Sequence, residues 1–442
     1  MPMEGTVAYV VKGFPRLSET FIASEIYRVE QAGVPLRLFV LKPIEEHERD
    51  ARHAVVEEIL ARPTYLPATT SLSGVSRIRW LARNLPAFLP AVRRIVRRRP
   101  LGLLRACAAA LADALRARRL WWSLPRKVFL RELLLGIALA DRLLAAGDVR
   151  HLHAHFAHGT TTVTWYASRI TGLPFSFTGH ARDIYTESLN PGGLLRRKLR
   201  AARFVVTCTD ANRRHLEGIA ADASVHRVYH GLNAEFAELL AAGGAAPQLN
   251  GRFRVLAVGR LVEKKGFDVL VEALALLSDR GVPVEAVIVG HTAPLEPEVG
   301  PQLERAIADH GLAGRVRLVG SMTQGELYCE YRRASAFCLP CRVAESGDRD
   351  GIPNVLVEAM ACATPVVSTD VSGIPELVVA EENGLLVPPE DPEAVAAALL
   401  RLYGDPELAA ELGRRAAATV RARFDGDRLA AELATLFREA TA

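Results

Sequence analysis

Two stretches of the chain alternate short apolar runs with helix-like segments, and this alternation limits the possible folds more than any other feature. In the first half, the run Val7–Val11 precedes a helical pattern over Glu19–Gln31 and a second run, Leu36–Leu41. The rhythm restarts in the second half with the runs Arg254–Val258 and Val284–Val289. Strand–helix–strand alternation predicts parallel sheets covered by helices. A chain of 442 residues is long enough for two such α/β domains.

The domain limits follow from where the alternation pauses. Residues 1–235 are predicted to form an N-terminal Rossmann-like domain, and residues 252–424 a second one. Between them, residues 236–251 contain the run AAGGAAPQLN, which is typical of a linker. The terminal segment 425–442 is predicted to be a helix long enough to reach back to the first domain.

A basic insertion interrupts the alternation over about residues 45–147, and its composition is helical. Between Arg77 and Lys127 there are fourteen Lys or Arg residues and one acid, Asp113, so this window carries a net charge of +13. A local excess of this kind indicates an anionic partner. Arginine clusters mixed with aromatic residues fit an anionic membrane surface, and they fit a helical subdomain with a solvated basic face equally well. Nucleic acid is not expected, because no nucleic-acid-binding motif accompanies the charge.

The remaining composition fits a folded protein without a membrane span. Hydrophobic residues make up 50% of the chain and charged residues 24%, which excludes the composition of a disordered protein. No apolar run reaches the roughly 18 residues that a spanning helix needs. The first residues, MPMEGTVAYVVKG, read as a strand rather than as a signal peptide. We therefore expect a cytoplasmic protein, with peripheral membrane association if the insertion binds lipid.

The segment DGIPNVLVEAMA, which begins at Asp350, combines a turn, a helix start and two carboxylates. Pro353 suits the start of a helix because it lacks the N–H that a first turn leaves unpaired. The other N–H groups of that turn and the helix dipole favour an anion such as a diphosphate. Asp350 precedes the turn and Glu358 lies inside the helix, where both can accept hydrogen bonds from sugar hydroxyls. Alone, this spacing also fits a capped surface helix.

A second segment places two cations between a strand and a helix. Arg260 and Lys265 lie in VGRLVEKKG, which follows an apolar run and opens a helical pattern. Two cations at one point can neutralise a leaving diphosphate without a metal ion. A turn with solvated cations is the alternative interpretation.

Together these motifs, with GIPE at 373–376 and ENGLLV at 382–387, resemble the retaining glycosyltransferases of family 4. The resemblance covers Arg254 to about Phe424 and implies a GT-B fold, in which two Rossmann-like domains face each other. Phe14-Pro15 and the run Ser18–Ile22 are similar to the exopolysaccharide and colanic-acid subgroup. In that family Arg260 and Lys265 match residues that hold the donor diphosphate, Asp350 matches a residue at the hexose, and Glu358 one at the ribose. The family usually has Glu where this chain has Asp350, so the preferred hexose stays open.

The resemblance also implies a full set of site residues. The expected donor-binding residues are Gly13, Arg260, Lys265, Asp350, Gly351, Ile352, Asn354, Val355 and Glu358. The expected catalytic residues are His180 and Asp350; His180 lies in a stretch, Thr178–Asp183, that matches the family less closely and also fits a histidine capping a helix. Ser18, Glu19 and Asp183 are expected on the acceptor side.

Four histidines between His151 and His158 suggest a metal site, since alternation puts the first three on one face of a strand. Family members have a similar strand without a metal, so the resemblance implies no metal and no other cofactor. Polar strand-end residues near the acceptor are the preferred interpretation.

The expected function is transfer of a hexosyl unit, with retention, from a nucleotide-diphosphate sugar to a glycan. A lipid-linked oligosaccharide in exopolysaccharide or capsule assembly is the preferred acceptor, and a soluble small molecule is the alternative. A nucleotide-sugar epimerase and a non-catalytic sugar-nucleotide-binding protein are the rivals from other classes. The sequence leaves open the nucleotide base, the linkage and the oligomeric state.

Overall fold

The protein forms two compact units. A computed structural model describes residues 5–16, 20–43, 55–118, 120, 122–243 and 252–441. The first unit comprises Met1–Cys208, Asn212–Val228 and Ala430–Ala442, and the second comprises Thr209–Ala211 and Tyr229–Leu429. The predicted linker, 236–251, begins inside a helix, Ala234–Ala242, and residues 244–251 lie outside the described part of the chain.

The described residues of the first unit contain one parallel sheet. Its strands are β1 (Thr6–Val11), β2 (Leu36–Val40), β3 (Pro63–Tyr65), β4 (Val149–His155), β5 (Phe175–Gly179), β6 (Val205–Thr207) and β7 (Val225–Arg227). The helices of this part are α1 (Thr20–Gln31), α2 (Val55–Glu58), α3 (Arg77–Arg98), α4 (Pro100–Arg116), α5 (Val128–Ala146), α6 (Thr160–Thr171), α7 (Ala181–Tyr185), α8 (Leu194–Ala201) and α9 (Asp210–Ile219). The strand order is β3-β2-β1-β4-β5-β6-β7. Because helices cover both faces of a parallel sheet, β1 is almost entirely apolar, whereas the central strand β4 carries three buried histidines among its apolar residues.

The second unit repeats this design. Its strands are β8 (Phe253–Val258), β9 (Val284–Val289), β10 (Val316–Val319), β11 (Ala336–Leu339), β12 (Val366–Thr369) and β13 (Leu385–Val387). The helices that follow α9 are α10 (Ala234–Ala242), α11 (Phe267–Asp279), α12 (Val299–Asp309), α13 (Gln324–Arg333), α14 (Asn354–Ala361), α15 (Ile374–Leu377), α16 (Pro392–Gly404), α17 (Pro406–Arg423) and α18 (Gly426–Thr441). The strand order is β10-β9-β8-β11-β12-β13, and the described pairs are parallel. The two predicted α/β sheets are therefore confirmed.

Each sheet has a point at which its strand order reverses. In the first unit, β1 pairs with β2 on one side and with β4 on the other. In the second unit, β8 pairs with β9 and with β11. The loops after such a strand pair diverge and leave a crevice at the carboxyl edge, where α/β proteins bind ligands.

The insertion predicted over 45–147 is helical for most of its described length, but it also contributes a strand. Pro63–Tyr65 pairs in parallel with β2 and extends the sheet at that edge. This strand was missed because it has only three residues, and two of them, Thr64 and Tyr65, are exposed. Within the insertion, α3 buries Trp80, Phe88 and Ile95 on one face, and Arg94 of α3 forms two hydrogen bonds with Asp141 of α5.

Helix α4 turns an apolar stripe outward. Its buried face consists of Ala106, Ala110, Asp113 and Ala114. The opposite face carries Leu101, Leu104, Leu111 and Leu115, and all four are exposed. Among the described residues, no helix is both long enough and apolar enough to cross a membrane.

The end of α18 packs inside the first unit. The ring of Phe437 lies 5.0 Å from that of His153 and 5.8 Å from that of Tyr9, measured between centroids. Arg438 donates a hydrogen bond from Nη2 to the carbonyl of Ala32. The segment 430–442 therefore covers part of the first sheet.

Candidate functional site

Two neighbouring lysines hold one carboxylate in the second unit. Lys265 Nζ lies 2.7 Å from Oδ2 of Asp350, and Lys264 Nζ lies 3.1 Å from Oδ1 of the same residue. Lys264 also pairs with Asp348 at 3.2 Å. Burial opposes ionisation of Asp350, but the two ammonium groups outweigh it and hold the pKa of this carboxyl well below its ordinary value. The carboxylate is thus ionised and tightly paired.

The backbone brings these residues together at the crevice between β8 and β11. Both lysines lie in the short turn that joins β8 to α11, and Asp350 lies in the loop that follows β11. Gly266 closes the lysine turn at φ +66°, and a Cβ there would meet the carbonyl oxygen of Pro340 at 2.0 Å. Only glycine allows the two loops to approach this closely, which explains the Lys-Gly end of the motif.

The charge of Lys265 is preserved despite its burial. Burial acts to lower the pKa of Lys265, Asp350 acts to raise it, and the net shift is upward. Arg260 is exposed and close enough for its charge to oppose protonation of Lys265. The structure thus gathers three cations at the end of β8, where an anion with several charges can bind.

Helix α14 begins next to this cluster in sequence. Pro353 is its N-cap residue, with φ −62° and ψ 126°, and Asn354 is its first helical residue. Gly351, Ile352 and Val355 are half-buried like Asn354, so part of this turn reaches the surface. A helix start of this kind favours an anion.

Glu358 is buried one turn into α14 and has a partner that the sequence did not indicate. The hydroxyl of Tyr331, on α13, donates to Oε2 of Glu358 at 2.9 Å. Burial raises the pKa of Glu358 to about 7, although the Tyr331 hydrogen bond acts in the opposite direction. This carboxyl group therefore titrates near neutral pH.

Of the described residues predicted in the first unit, Asp183 is the most deeply buried. It is buried under two loops, where its Oδ1 accepts from the backbone N–H of His180 at 2.9 Å and its Oδ2 accepts from the backbone N–H of Ala157. Burial raises the pKa of Asp183 to about 7. These two hydrogen bonds fix the loop that carries His180, and the acceptor-side role expected for Asp183 stays a prediction.

The structure describes only some of the other residues predicted in the first unit. His180 is the N-cap residue of α7, directly after β5, so the helix-cap interpretation applies to its backbone position. Gly13 follows β1 and is half-buried. Ser18 and Glu19 lie outside the described residues.

The histidines of β4 form a hydrogen-bonded layer inside the first unit. His151, His153 and His155 all face the same side and are fully buried. His153 contacts the hydroxyls of Ser176 and Thr178 at 2.8 and 3.0 Å, and His155 Nε2 lies 3.0 Å from Oε1 of Glu25. Burial lowers the pKa of His151 and of His153. Glu25, His153 and His155 lie close enough to share an ion. However, both ring nitrogens of His153 and Nε2 of His155 already form the hydrogen bonds given above.

Sequence reasoning missed three residues of the second-unit site. Lys264 was visible beside Lys265, and its bond to Asp350 shows that both lysines of the motif face the same carboxylate. Asp348 lies two positions before Asp350 and could have been identified in the same way, as an acid in that loop. No sequence signal indicated Tyr331, because its contact with Glu358 joins two separate helices.

Comparison with known proteins finds a family model that matches the part of the chain containing the second-unit site. Residues 252–405 match the family model described as glycosyl transferases group 1. The amylovoran biosynthesis glycosyltransferase AmsK of Erwinia amylovora is 44% identical over 154 residues, which are 35% of this chain and 37% of that protein. The colanic acid biosynthesis glycosyltransferase WcaL of Escherichia coli K12, named as putative, is 37% identical over 42% of this chain and 44% of its own length. The matched region thus spans less than half the length of these relatives.

Two solved structures are similar over nearly the whole chain. Sucrose-phosphate synthase from Thermosynechococcus elongatus has a TM-score of 0.68 at 20% identity, with 98% of both chains covered. The Anabaena protein HepE, solved in complex with UDP and glucose, has a TM-score of 0.67 at 16% identity, covering 98% of this chain and 99% of its own. At these identities the similarity concerns the fold, which is that of the GT-B glycosyltransferases.

Proposed function

We propose, on the premise that residues 252–405 form a group 1 glycosyltransferase domain, that this protein transfers a hexosyl unit from a nucleotide-diphosphate sugar to a glycan. The proposed reaction retains the anomeric configuration and needs no metal ion. Such a reaction requires a protein group that stabilises the diphosphate as it leaves.

The pairing of Lys264 and Lys265 with Asp350 carries this proposal. Buried lysines held by one carboxylate are fixed in position before a ligand arrives, and the upward shift of its pKa keeps Lys265 positively charged. A donor diphosphate would meet Lys265, the exposed Arg260 and the first turn of α14. Preorganised cations stabilise the developing negative charge without a change in solvent structure, which is the source of most electrostatic catalysis.

The carboxylates are proposed to hold the two sugars of the donor. Ionised Glu358 can accept hydrogen bonds from both ribose hydroxyls, while Tyr331 keeps the carboxylate oriented. Asp350 has little exposed surface and is proposed to bind a hexose hydroxyl while it still holds the lysines. The resemblance assigns His180 to the reacting centre, and Asp183 would fix its loop.

The proposed step is attack on the face from which the diphosphate leaves. The acceptor hydroxyl oxygen forms a bond to C1 of the hexose, the bond from C1 to the diphosphate oxygen breaks, and the leaving oxygen takes the acceptor proton. Arg260 and Lys265 would lower the energy of the charge that builds up on that oxygen.

We further propose that the acceptor is a glycan on a membrane lipid. The exposed leucine stripe of α4 lies among the arginines of the insertion, and a helix with apolar and basic faces binds the membrane interface. The names of the relatives refer to amylovoran and colanic acid, which supports a polysaccharide product. A soluble acceptor is the competing proposal.

Incubation with UDP-, GDP- and ADP-sugars, in the presence and absence of EDTA, tests the function. We expect one nucleotide sugar to release its nucleoside diphosphate, by transfer or by slow hydrolysis, and EDTA to leave the rate unchanged. An isomerised sugar nucleotide without release would instead identify an epimerase, and binding without any conversion would identify a binding protein. A rate lost with EDTA and restored by a divalent cation would contradict the metal-free step.

A further inference from the structure

The first unit contains a cavity of about 1030 Å³ that the donor site does not use. It lies at the carboxyl edge of the sheet, where Lys12 follows β1, Lys42 follows β2 and His158 follows β4. The order of the strands reverses between β1 and β4, so this is the crevice in which such sheets bind ligands. The other wall comes from the insertion and includes residues 124–128.

The cavity is strongly cationic. The described residues that line it include six with a positive charge and one acid: Lys12, Lys42, Arg77, Arg126, Lys127, Arg131 and Glu132. Lys127 donates to the carbonyls of Leu72 and Val75, and Arg77 to that of Pro125, so these two side chains hold the wall together. Burial, followed by the charges of Lys12, Lys198 and Arg182, lowers the pKa of His158 to about 4, so this histidine is neutral near pH 7.

Much of the remaining cavity wall is apolar, and the apolar part continues to the surface. Leu72, Val75, Val128, Phe129 and Leu135 line the interior. At the opening, Ile78 is 84% exposed and Leu124 is 73% exposed. Large apolar side chains in contact with water at the mouth of an apolar cavity indicate a ligand, or a lipid phase, that continues outward.

We propose that this cavity binds a polyprenyl diphosphate, with its anionic head at the strand ends, near Lys12 and Lys42, and its first isoprene units along the apolar part of the wall. This deepens the proposed function, on which it rests, because it assigns the lipid part of the acceptor to a site in this chain. The volume is at the upper end of small-molecule sites, which cover roughly 300–1,000 Å³, so it suits the head and the first units of a long chain. The remaining chain leaves the cavity past Leu124.

One acid in the wall is compatible with this ligand. Glu132 is buried, and burial raises its pKa although Lys198 and Arg131 favour its charged form. Its pKa is about 7, so part of the population is protonated near neutral pH, and a protonated carboxyl group donates a hydrogen bond to a phosphate oxygen instead of repelling it. The neutral His158 can also donate, since its ring carries one N–H.

Calorimetric titration with farnesyl diphosphate, below its micelle concentration, tests the proposal. Inorganic diphosphate represents the head alone and farnesol the tail alone. We expect farnesyl diphosphate to bind at least about tenfold more tightly than either part, since each part keeps only one kind of contact. Equal affinity for inorganic diphosphate, or binding seen only with vesicles, would overturn the proposal.

Two pairs of variants place the binding in the cavity. Arg126→Glu reverses a charge inside it, and Val75→Trp fills part of it, so each should weaken binding about tenfold. Arg97→Glu and Val96→Trp make the same changes on exposed positions of α3 outside the cavity, and they should stay within about twofold. Circular dichroism melts check that all four variants fold. Undiminished binding in both Arg126→Glu and Val75→Trp would assign the ligand elsewhere and sink the proposal.

The outcome is separable from that of the proposed function. If farnesyl diphosphate binds and Val75→Trp removes it while no nucleotide sugar is consumed, the cavity assignment stands and the enzyme proposal fails. If a nucleotide sugar is consumed while the cavity variants bind farnesyl diphosphate normally, the enzyme proposal stands and the cavity assignment fails.

Discussion

Lys265 Nζ lies 2.7 Å from Asp350 Oδ2, and this contact joins the loops after β8 and β11 into one charged site. Lys264 approaches the other oxygen of the same carboxylate, so both oxygens of Asp350 have a cationic partner. Removing either lysine leaves Asp350 with the remaining one, whereas removing Asp350 leaves two buried ammonium groups close together. The two kinds of substitution should therefore have different effects.

Lys265→Met should weaken nucleotide-sugar binding at least about 30-fold, because truncating one partner of a buried charge pair typically costs 2–5 kcal/mol. Titration calorimetry with the sugar nucleotide found in the donor panel measures this. Arg305→Met, an exposed arginine on α12, is the matched control and should bind normally. Unchanged affinity in Lys265→Met would remove this lysine from the donor site.

Glu358→Gln should stabilise the protein more at pH 8 than at pH 5. The pKa of Glu358 is about 7 in the folded state and lower in the unfolded chain, so ionisation penalises folding once the pH rises above the unfolded value. The penalty grows until about pH 7 and is then complete, on the order of 3 kcal/mol. Glutamine removes the titration and can still accept from Tyr331.

Urea denaturation of wild type and Glu358→Gln at both pH values measures this difference. Glu272→Gln, on the exposed face of α11, is the control and should give the same difference at pH 5 and pH 8. A pH-independent effect of Glu358→Gln would mean that Glu358 ionises normally. Because the proposed ribose contact needs the carboxylate, wild-type donor affinity should also rise between pH 6 and pH 8.

Asp183→Asn should destabilise the protein by about 1–3 kcal/mol at pH 8, since one buried N–H group loses its acceptor. Asparagine has a single acceptor oxygen, and both oxygens of Asp183 accept from the backbone, one from His180 and one from Ala157. Urea denaturation is again the measurement. Asp222→Asn breaks an exposed pair with Arg200 and should change stability little, so an equal loss in both variants would contradict the capping role.

Leu104→Glu should reduce binding to vesicles that contain anionic lipid by about tenfold, because burying a leucine contributes roughly 1.5–3 kcal/mol. Co-sedimentation of the protein with the vesicles measures the bound fraction. Leu60→Glu is the matched control, since Leu60 is 75% exposed but lies outside α4, whereas Leu104 is 65% exposed on the stripe. Equal binding by wild type and Leu104→Glu would exclude α4 as the membrane contact.

The sheets could be predicted because their strands are buried on both faces. Val7–Val11 is a continuous apolar run, Val284–Val289 is apolar except for Glu285, and the structure has strands at both places. Pro63–Tyr65 could not be recognised, because three residues carry no periodicity and the pairing with β2 depends on how the whole insertion packs. The helix start at Asn354 was readable from Pro353, which is a local signal.

The sequence motifs identified individual site residues, but they did not predict the contacts between residues of different motifs. Lys265 and Asp350 were identified separately, and their ion pair follows from the adjacency of β8 and β11, which lies beyond local sequence. The contact between Tyr331 and Glu358 likewise depends on tertiary packing, because the two residues belong to different helices. Asp183 and Glu358 are both buried, and the sequence contains no direct measure of burial for a single acid.

The return of residues 430–442 to the first unit has a consequence for synthesis. Phe437 covers His153 and Tyr9, yet the ribosome makes it only after the entire second unit. Until Phe437 has been made, it cannot cover the side chains of His153 and Tyr9 in the nascent first unit. Folding of the first unit is complete only after the second unit has been translated, so the first unit cannot finish folding before the second is made.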